Sequence, residues 1–252
     1  MDELVVERSG KVVSVVLDRP PLNTLSIPLY RRLLETFRRI ADGGANCAVL
    51  TGRGDAFCCG VDLNELMKLS ADEDPRRSAI VRETFRTIRM CPIPVIAALN
   101  GPALGGGAIL ASVADIRIAA ASASIGLTQI DIGRCGGGAH VGRFVSPGTL
   151  RRMSFTGEPM SAADAYRVGL VDQVVAPSDL LPAAYHLAET IASKSAIGLR
   201  MAKEALNQLE FLPVEEGFEL EQQYSTQLMH TQDAREAARA TLEQRPAQFK
   251  GY

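Results

Sequence analysis

Short β-branched apolar runs alternate with stretches of helical period along most of this chain, and its last quarter is helical throughout. Residues 4–6 and 12–17 read as two strands of a hairpin split by Ser9-Gly10. Arg19-Pro20-Pro21 breaks the sheet, and Ser26 with Pro28 opens a helix that places Leu29, Leu33, Leu34, Phe37 and Ile40 on one face. Asp42-Gly43-Gly44 stops that helix. A buried strand over 47–50, a short helix over 62–69, a helix over 76–90 and a buried strand from Val95 follow. Helices are expected over 136–145 and 149–155, with another opened by Ser161 and Asp164 and ended by Gly169. A short strand over 171–175 precedes four helices, over 180–193, 196–209, 214–228 and 233–242.

The densest local signal is Asn100-Gly101-Pro102-Ala103-Leu104-Gly105-Gly106-Gly107, between a buried strand and an apolar helix over 108–113. A glycine knot there lets backbone N–H groups face a cavity with no side chain in the way, and the helix dipole favours developing negative charge. The same glycines would also serve a helix that packs tightly on a neighbour. Gly52 and Gly54 do not make a nucleotide loop: the third glycine of a dinucleotide fingerprint is missing, and no Gly-Lys-Ser/Thr follows.

The chain's 252 residues, 46% of them hydrophobic, suffice for a large core, and the net charge of -2 offers nothing to nucleic acid or an anionic membrane. Five cysteines without a CxxC pair indicate neither a disulfide framework nor a metal site, and are expected to be reduced, mostly buried thiols of a cytoplasmic protein. The opening Met1-Asp2-Glu3-Leu4 is acidic and lacks the apolar stretch of a leader, and no run is long enough to cross a bilayer.

Two blocks, Ala56-Phe57-Cys58-Cys59-Gly60-Val61-Asp62-Leu63 and Asn100 to Gly107, resemble the signatures of the crotonase (enoyl-CoA hydratase/isomerase) superfamily. Arg19-Pro20 with Leu22-Asn23, Phe155-Thr156-Gly157, Gly169-Leu170-Val171, Lys203-Glu204 and Arg245 to Phe249 extend the similarity over nearly the whole chain. The resemblance implies an α/β fold: a crotonase-like spiral of repeated β-β-α units over 1–195, followed by a C-terminal helical trimerisation region over 196–252. It implies an acyl-CoA thioester as ligand, no cofactor beyond the CoA of the substrate, no metal, and a homotrimer or dimer of trimers. The N–H groups of Val61 and Gly106 would stabilise the thioester enolate. CoA would lie along Leu22, Asn23 and Thr24 and along Asp62, Leu63 and Asn64, with Gly105 beside the thioester and Lys203 and Phe249 as further contacts across a subunit boundary.

The chain departs from the family where the reaction is chosen. Hydratases of the family carry two glutamates, and here the corresponding positions are Ile109 and Gln129. A third acidic slot falls on the glycine triplet around Gly137 and is empty. Hydration needs a base for water and an acid for the α-carbon, and neither isoleucine nor glutamine exchanges protons at neutral pH. His140 is the leading substitute base, Asp131 a second, and Cys135 is read as packing. Asp62 suits a helix cap. Arg82 and Arg86, one turn apart, fit either a solvated face or an acidic acyl group or phosphate. Three functions stand open: a hydratase/isomerase-type enzyme with an unusual acid/base group, a decarboxylase or lyase that forms the enolate without a base, and a non-catalytic acyl-CoA binder.

Overall fold

The computed structural model describes residues 3–252; Met1 and Asp2, which begin the acidic opening stretch, lie outside the described residues. The hairpin forms as β1 (Leu4–Ser9) and β2 (Val12–Leu17), paired antiparallel with Leu4 opposite Leu17. α1 (Ile27–Arg39) starts where the sequence places it, the Ser26 hydroxyl accepting the Leu29 N–H at 3.2 Å. Leu29, Leu33 and Phe37 of its apolar face are buried, as is Ile40 just beyond. β3 (Cys47–Gly52) continues the sheet, and α2 (Leu63–Lys68) and α3 (Asp74–Met90) lie outside it.

Two β-β turns then repeat. β4 (Val95–Leu99) enters the large sheet and β5 (Ala103–Leu104) a small second one, followed by α4 (Gly106–Val113). β6 (Ile116–Ala120) and β7 (Ser124–Gly126) do the same, followed by a 3-10 turn over Thr128–Ile132. α5 (Gly138–Val141), α6 (Pro147–Thr156), β8 (Met160–Ser161), α7 (Ala162–Arg167) and β9 (Gln173–Val175) complete the spiral. The large sheet has the order β1-β2-β3-β4-β6-β9, parallel from β2 onward, and the small sheet the order β5-β7-β8. Each of these repeats places one strand in each sheet, and the site forms at the turns that follow β5 and Cys58.

Apolar residues occupy both faces of the parallel strands because both faces are covered. Val15, Leu50, Ala97 and Leu99 face the interior core with α1 and α4. Val49, Ile96, Ala98 and Ile118, alternating with them, face α8 (Leu180–Ala192). Ala184, Ala188 and Ala192, four residues apart, give α8 a flat stripe that lies close on the sheet. α9 (Ala196–Leu209), α10 (Val214–Met229) and α11 (Gln232–Leu242) end the chain. Among the described residues no helix is long and apolar enough to cross a membrane.

Three sequence expectations change. The helix over 136–145 shrinks to the single turn of α5, because Gly136 and Gly137 sit at φ +139° and +84° and cannot extend a right-handed helix. β5, β6, β7 and β8 went unanticipated: β5 and β8 are two residues long and β7 three, and β6 runs into a small-residue stretch. Lys203 does not reach outward. Its buried ammonium donates to Asp115 at 2.7 Å and to the Ile93 carbonyl at 2.9 Å, pinning α9 to the start of β4. Asp115→Asn would strand that charge and should lower unfolding stability by about 3 kcal/mol, read as a shift in the denaturation midpoint at unchanged m-value.

Candidate active site

Two turns build the site. Cys58 pairs with Ala103 as an isolated parallel bridge, and the Leu104 N–H donates to the Cys58 carbonyl at 2.9 Å. The turn through Gly60 and Val61 into α2 and the turn through Gly105 and Gly106 into α4 therefore leave one edge side by side. Gly107 permits this approach: a Cβ there would fall 1.9 Å from the Cys58 carbonyl oxygen. Gly60, at φ +89°, brings its backbone so near the second turn that a Cβ would stand 3.4 Å from the Gly106 nitrogen. The Leu25 N–H donates to the Gly60 carbonyl at 2.7 Å and the Asp62 N–H to the Leu25 carbonyl at 3.2 Å, which turns the Val61 N–H away from Leu25. Among the described residues neither the Val61 nor the Gly106 N–H has an acceptor.

Two cavities meet at this pair of donors. The outer one, about 540 Å³, is walled by Leu22, Thr24, Leu63 and Asn64. The inner one, about 900 Å³, is walled by Tyr30, Phe85, Ile109 and His140. Val61, Gly106 and Gln129 line both. A ligand threaded through would pass its middle across the two N–H groups.

The outer wall is held by charges that are already satisfied. The Arg19 guanidinium donates to Glu3 at 2.8 Å and also to Asp62 and Thr24. Burial opposes ionisation of Asp62, but Arg19 and the N–H groups of Glu65 and Asn64 outweigh it and hold the carboxyl below the usual range. Asp62 thus caps α2 as an anion and meets the cavity as a fixed support. Asn23 departs from expectation: it is fully buried, and its amide donates to the carbonyls of Arg53 at 3.0 Å and Ala56 at 2.7 Å. Its side chain fixes the loop from inside, and contact with a ligand passes to Leu22 and Thr24 beside it.

The inner wall carries three kinds of group. Ile109 packs against Gly137, where a Cβ would meet its Cγ1 at 2.9 Å, so hydrocarbon fills the space that an acidic side chain at 137 would need. The Gln129 Oε1 is buried without a hydrogen-bond partner, and its Cδ would lie 4.0 Å from a Cβ on Gly105. His140 is half-buried, its ring 6.2 Å from Phe85 in an edge arrangement. Burial first, then Arg143 and Arg89, push its pKa down, which keeps the imidazole neutral at pH 7.

A match to the enoyl-CoA hydratase/isomerase family model extends over residues 7–252. The chain belongs to that family. It is 33% identical to the crotonyl-CoA hydratase of Syntrophomonas wolfei over 254 residues, covering 98% of each protein. It is 34% identical to the 2,3-dehydroadipyl-CoA hydratase of Escherichia coli, covering all of both. The crystal structure of an enoyl-CoA hydratase from Bacillus anthracis superposes with a TM-score of 0.96 at 34% identity, over the full length of both chains. The crotonase fold expected from the two blocks is therefore the fold of this chain.

Within that family frame, Asp131 lines the outer cavity but turns its carboxylate toward Gly157, where a Cβ would fall 2.6 Å from Oδ2. Cys135 is exposed rather than packed, on the lining of the inner cavity. Tyr30 escaped the sequence reading. It stands 1% exposed beside Leu29, and a Cβ on Gly106 would lie 3.4 Å from its Oη. Burial drives its pKa upward, so it stays a neutral phenol able to donate to an oxygen held at Gly106. A tyrosine on an otherwise aliphatic helix face was the available signal, since a buried hydroxyl needs a partner.

Proposed function

We propose that this crotonase-family chain binds an acyl-CoA thioester across the two cavities, CoA in the outer and the acyl chain in the inner, and stabilises the thioester enolate through the Val61 and Gly106 N–H groups. The observation that carries this reading is the pair of acceptor-free donors at the junction of the cavities. Charge growing on a carbonyl oxygen there would find dipoles already oriented, so no solvent need reorganise. Among the described residues no aspartate or glutamate lines the inner cavity, while one neutral imidazole does. Such a set suits chemistry with a single proton carrier. His140 takes an allylic proton, the enolate rests in the hole, and the imidazolium returns the proton two carbons away. That is the 2,3-isomerisation of an enoyl thioester.

The reading is tested by following 3-enoyl-CoA to 2-enoyl-CoA conversion. His140→Gln should lower kcat by about 10²–10⁴-fold. Because the base works unprotonated and its pKa is depressed, kcat/KM should be flat at pH 7 and above and fall only below the ordinary imidazole value of about 6.5. A profile rising through pH 8 would assign the proton transfer to another group. Ile109 favours one other reading: hydrocarbon beside the thioester suits loss of CO₂ from a malonyl-type thioester, which forms the enolate without a base. Turnover of methylmalonyl-CoA without turnover of an enoyl-CoA would select it, and binding of a saturated acyl-CoA with no turnover at all would leave a binder.

Assembly follows from the C-terminal region. Phe211, Val214 and Phe218 of the α9–α10 surface are 72%, 82% and 60% exposed, and Leu220, Tyr224 and Leu228 are half-buried beside them. An apolar surface of this kind marks an interface. Residues 196–252 are accordingly the trimerisation region, appended to a core over 1–195, and light scattering should give the mass of a trimer or a dimer of trimers. All five cysteines are free, which fits a cytoplasmic setting.

A further inference from the structure

The inner cavity has a charge that the enolate chemistry does not use. α3 turns Ser78, Arg82, Phe85, Arg86 and Arg89 toward it, and Arg77 and Arg134 add to the lining. Three of the five arginines are compensated. Arg134 donates to Asp74 at 2.8 Å, Arg77 lies 4.0 Å from the same carboxylate, and Arg89 pairs with Glu210. Arg82 and Arg86 have no ion-pair or hydrogen-bond partner among the described residues. The acid between them in sequence, Glu83, is taken by Arg38 at 3.0 Å. Two like charges one turn apart weaken a helix when nothing joins them, with their Cβ atoms roughly 5–6 Å apart. That spacing suits two guanidinium forks closing on one carboxylate.

The same wall carries an apolar stretch: Leu66, Val81, Phe85, Met90 and Ile109. A ligand that satisfies both features has a hydrocarbon body and an anionic end. From the thioester seat at Gly106 the body would run along Ile109 and Phe85 toward α3. We propose that the acyl chain of the substrate ends in a carboxylate and that Arg82 and Arg86 hold it. This rests on the acyl-CoA reading above and narrows it to thioesters of dicarboxylic acids. The two arginines then select the substrate and fix how far the chain enters, so that the same carbon always sits beside the Val61 and Gly106 donors.

The test is calorimetric binding of adipyl-CoA against hexanoyl-CoA, and of glutaryl-CoA against pentanoyl-CoA, to the full-length protein in its native assembly. The members of each pair share CoA and chain length and are saturated, so neither turns over by isomerisation. At low ionic strength at least one dicarboxylic ligand should bind about tenfold or more tighter than its partner, the worth of a charge-assisted hydrogen bond. The gap should narrow as salt is added. Arg82→Gln and Arg86→Gln should each shrink it, and the double substitution should abolish it while hexanoyl-CoA affinity stays within about twofold; Arg86→Lys, which keeps the charge but not the fork, should retain part of it. Both positions are exposed on a helix, so the variants should fold. Equal binding within both pairs overturns the proposal and leaves the acyl-CoA reading intact. Equal loss of the paired ligands in the double variant also overturns it, since the arginines would then serve CoA itself. Failure of all four ligands to bind takes down the acyl-CoA reading and this proposal together.

Discussion

Hydration of crotonyl-CoA by this protein should be poor, with kcat/KM below about 10⁴ M⁻¹s⁻¹, the lower end of ordinary enzymes. The reaction handles two protons, one from the attacking water and one to the α-carbon, and each positioned acid or base is worth about 10²–10⁴-fold. Ile109 offers hydrocarbon wedged against Gly137, and the Gln129 amide can orient a water but cannot take its proton. His140 can fill one role and leaves the other vacant. The same assay on a 2-enoyl thioester with a distal carboxylate separates a missing proton carrier from a poorly seated short chain: both substrates should be slow. Efficient hydration of either would mean that Tyr30 or Asp131 completes the pair, and Tyr30→Phe and Asp131→Asn would then show which. Restoring glutamate at 109 and 129 is a weaker test. Carboxyls buried among the apolar side chains of the inner wall would have raised pKa values and would cost stability, so their failure would carry little information.

The sequence carried the helices well and the strands less well, for a physical reason. α1 combines a serine cap, an early proline and a full apolar face within thirteen residues, so several independent signals agree. β5 and β8 are two residues long and owe their place to neighbours they pair with across the spiral, so no local pattern could reveal them. The same division runs through the site. The turns that carry Val61 and Gly106, the proposed donors, were legible because glycines leave a mark in sequence. Asn23 and Lys203 looked like ligand contacts because polar residues in a functional block invite that reading, yet each is buried satisfying carbonyls of its own chain. Arg82 and Arg86 show the converse. Their spacing was visible, but a solvated face has the same spacing, and only the cavity on one side and the lack of acidic partners tell the two apart.

Gly106→Pro should lower kcat by about 10²–10³-fold, the effect of deleting one donor to a developing oxyanion. Proline at the first position of a helix is tolerated, because that N–H has no partner within the helix and the ring's φ suits the first turn. Gly106 is the first residue of α4, with Gly105 before it at φ +54° to absorb adjustment. The tightest atoms a new Cβ would meet are the Leu25 Cδ1 at 3.1 Å and the Tyr30 Oη at 3.4 Å, both on side chains, with the Gly60 Cα at 3.5 Å in ordinary van der Waals contact. Gly106→Ala is the matching control: it adds the same Cβ and keeps the N–H. If the donor matters, alanine should retain most of the activity and proline should lose it, with similar melting temperatures for the two variants. Equal losses would point to crowding at Leu25 and Tyr30. Normal turnover by the proline variant would remove Gly106 from the oxyanion site, and with it the reason to place the thioester where the two cavities meet.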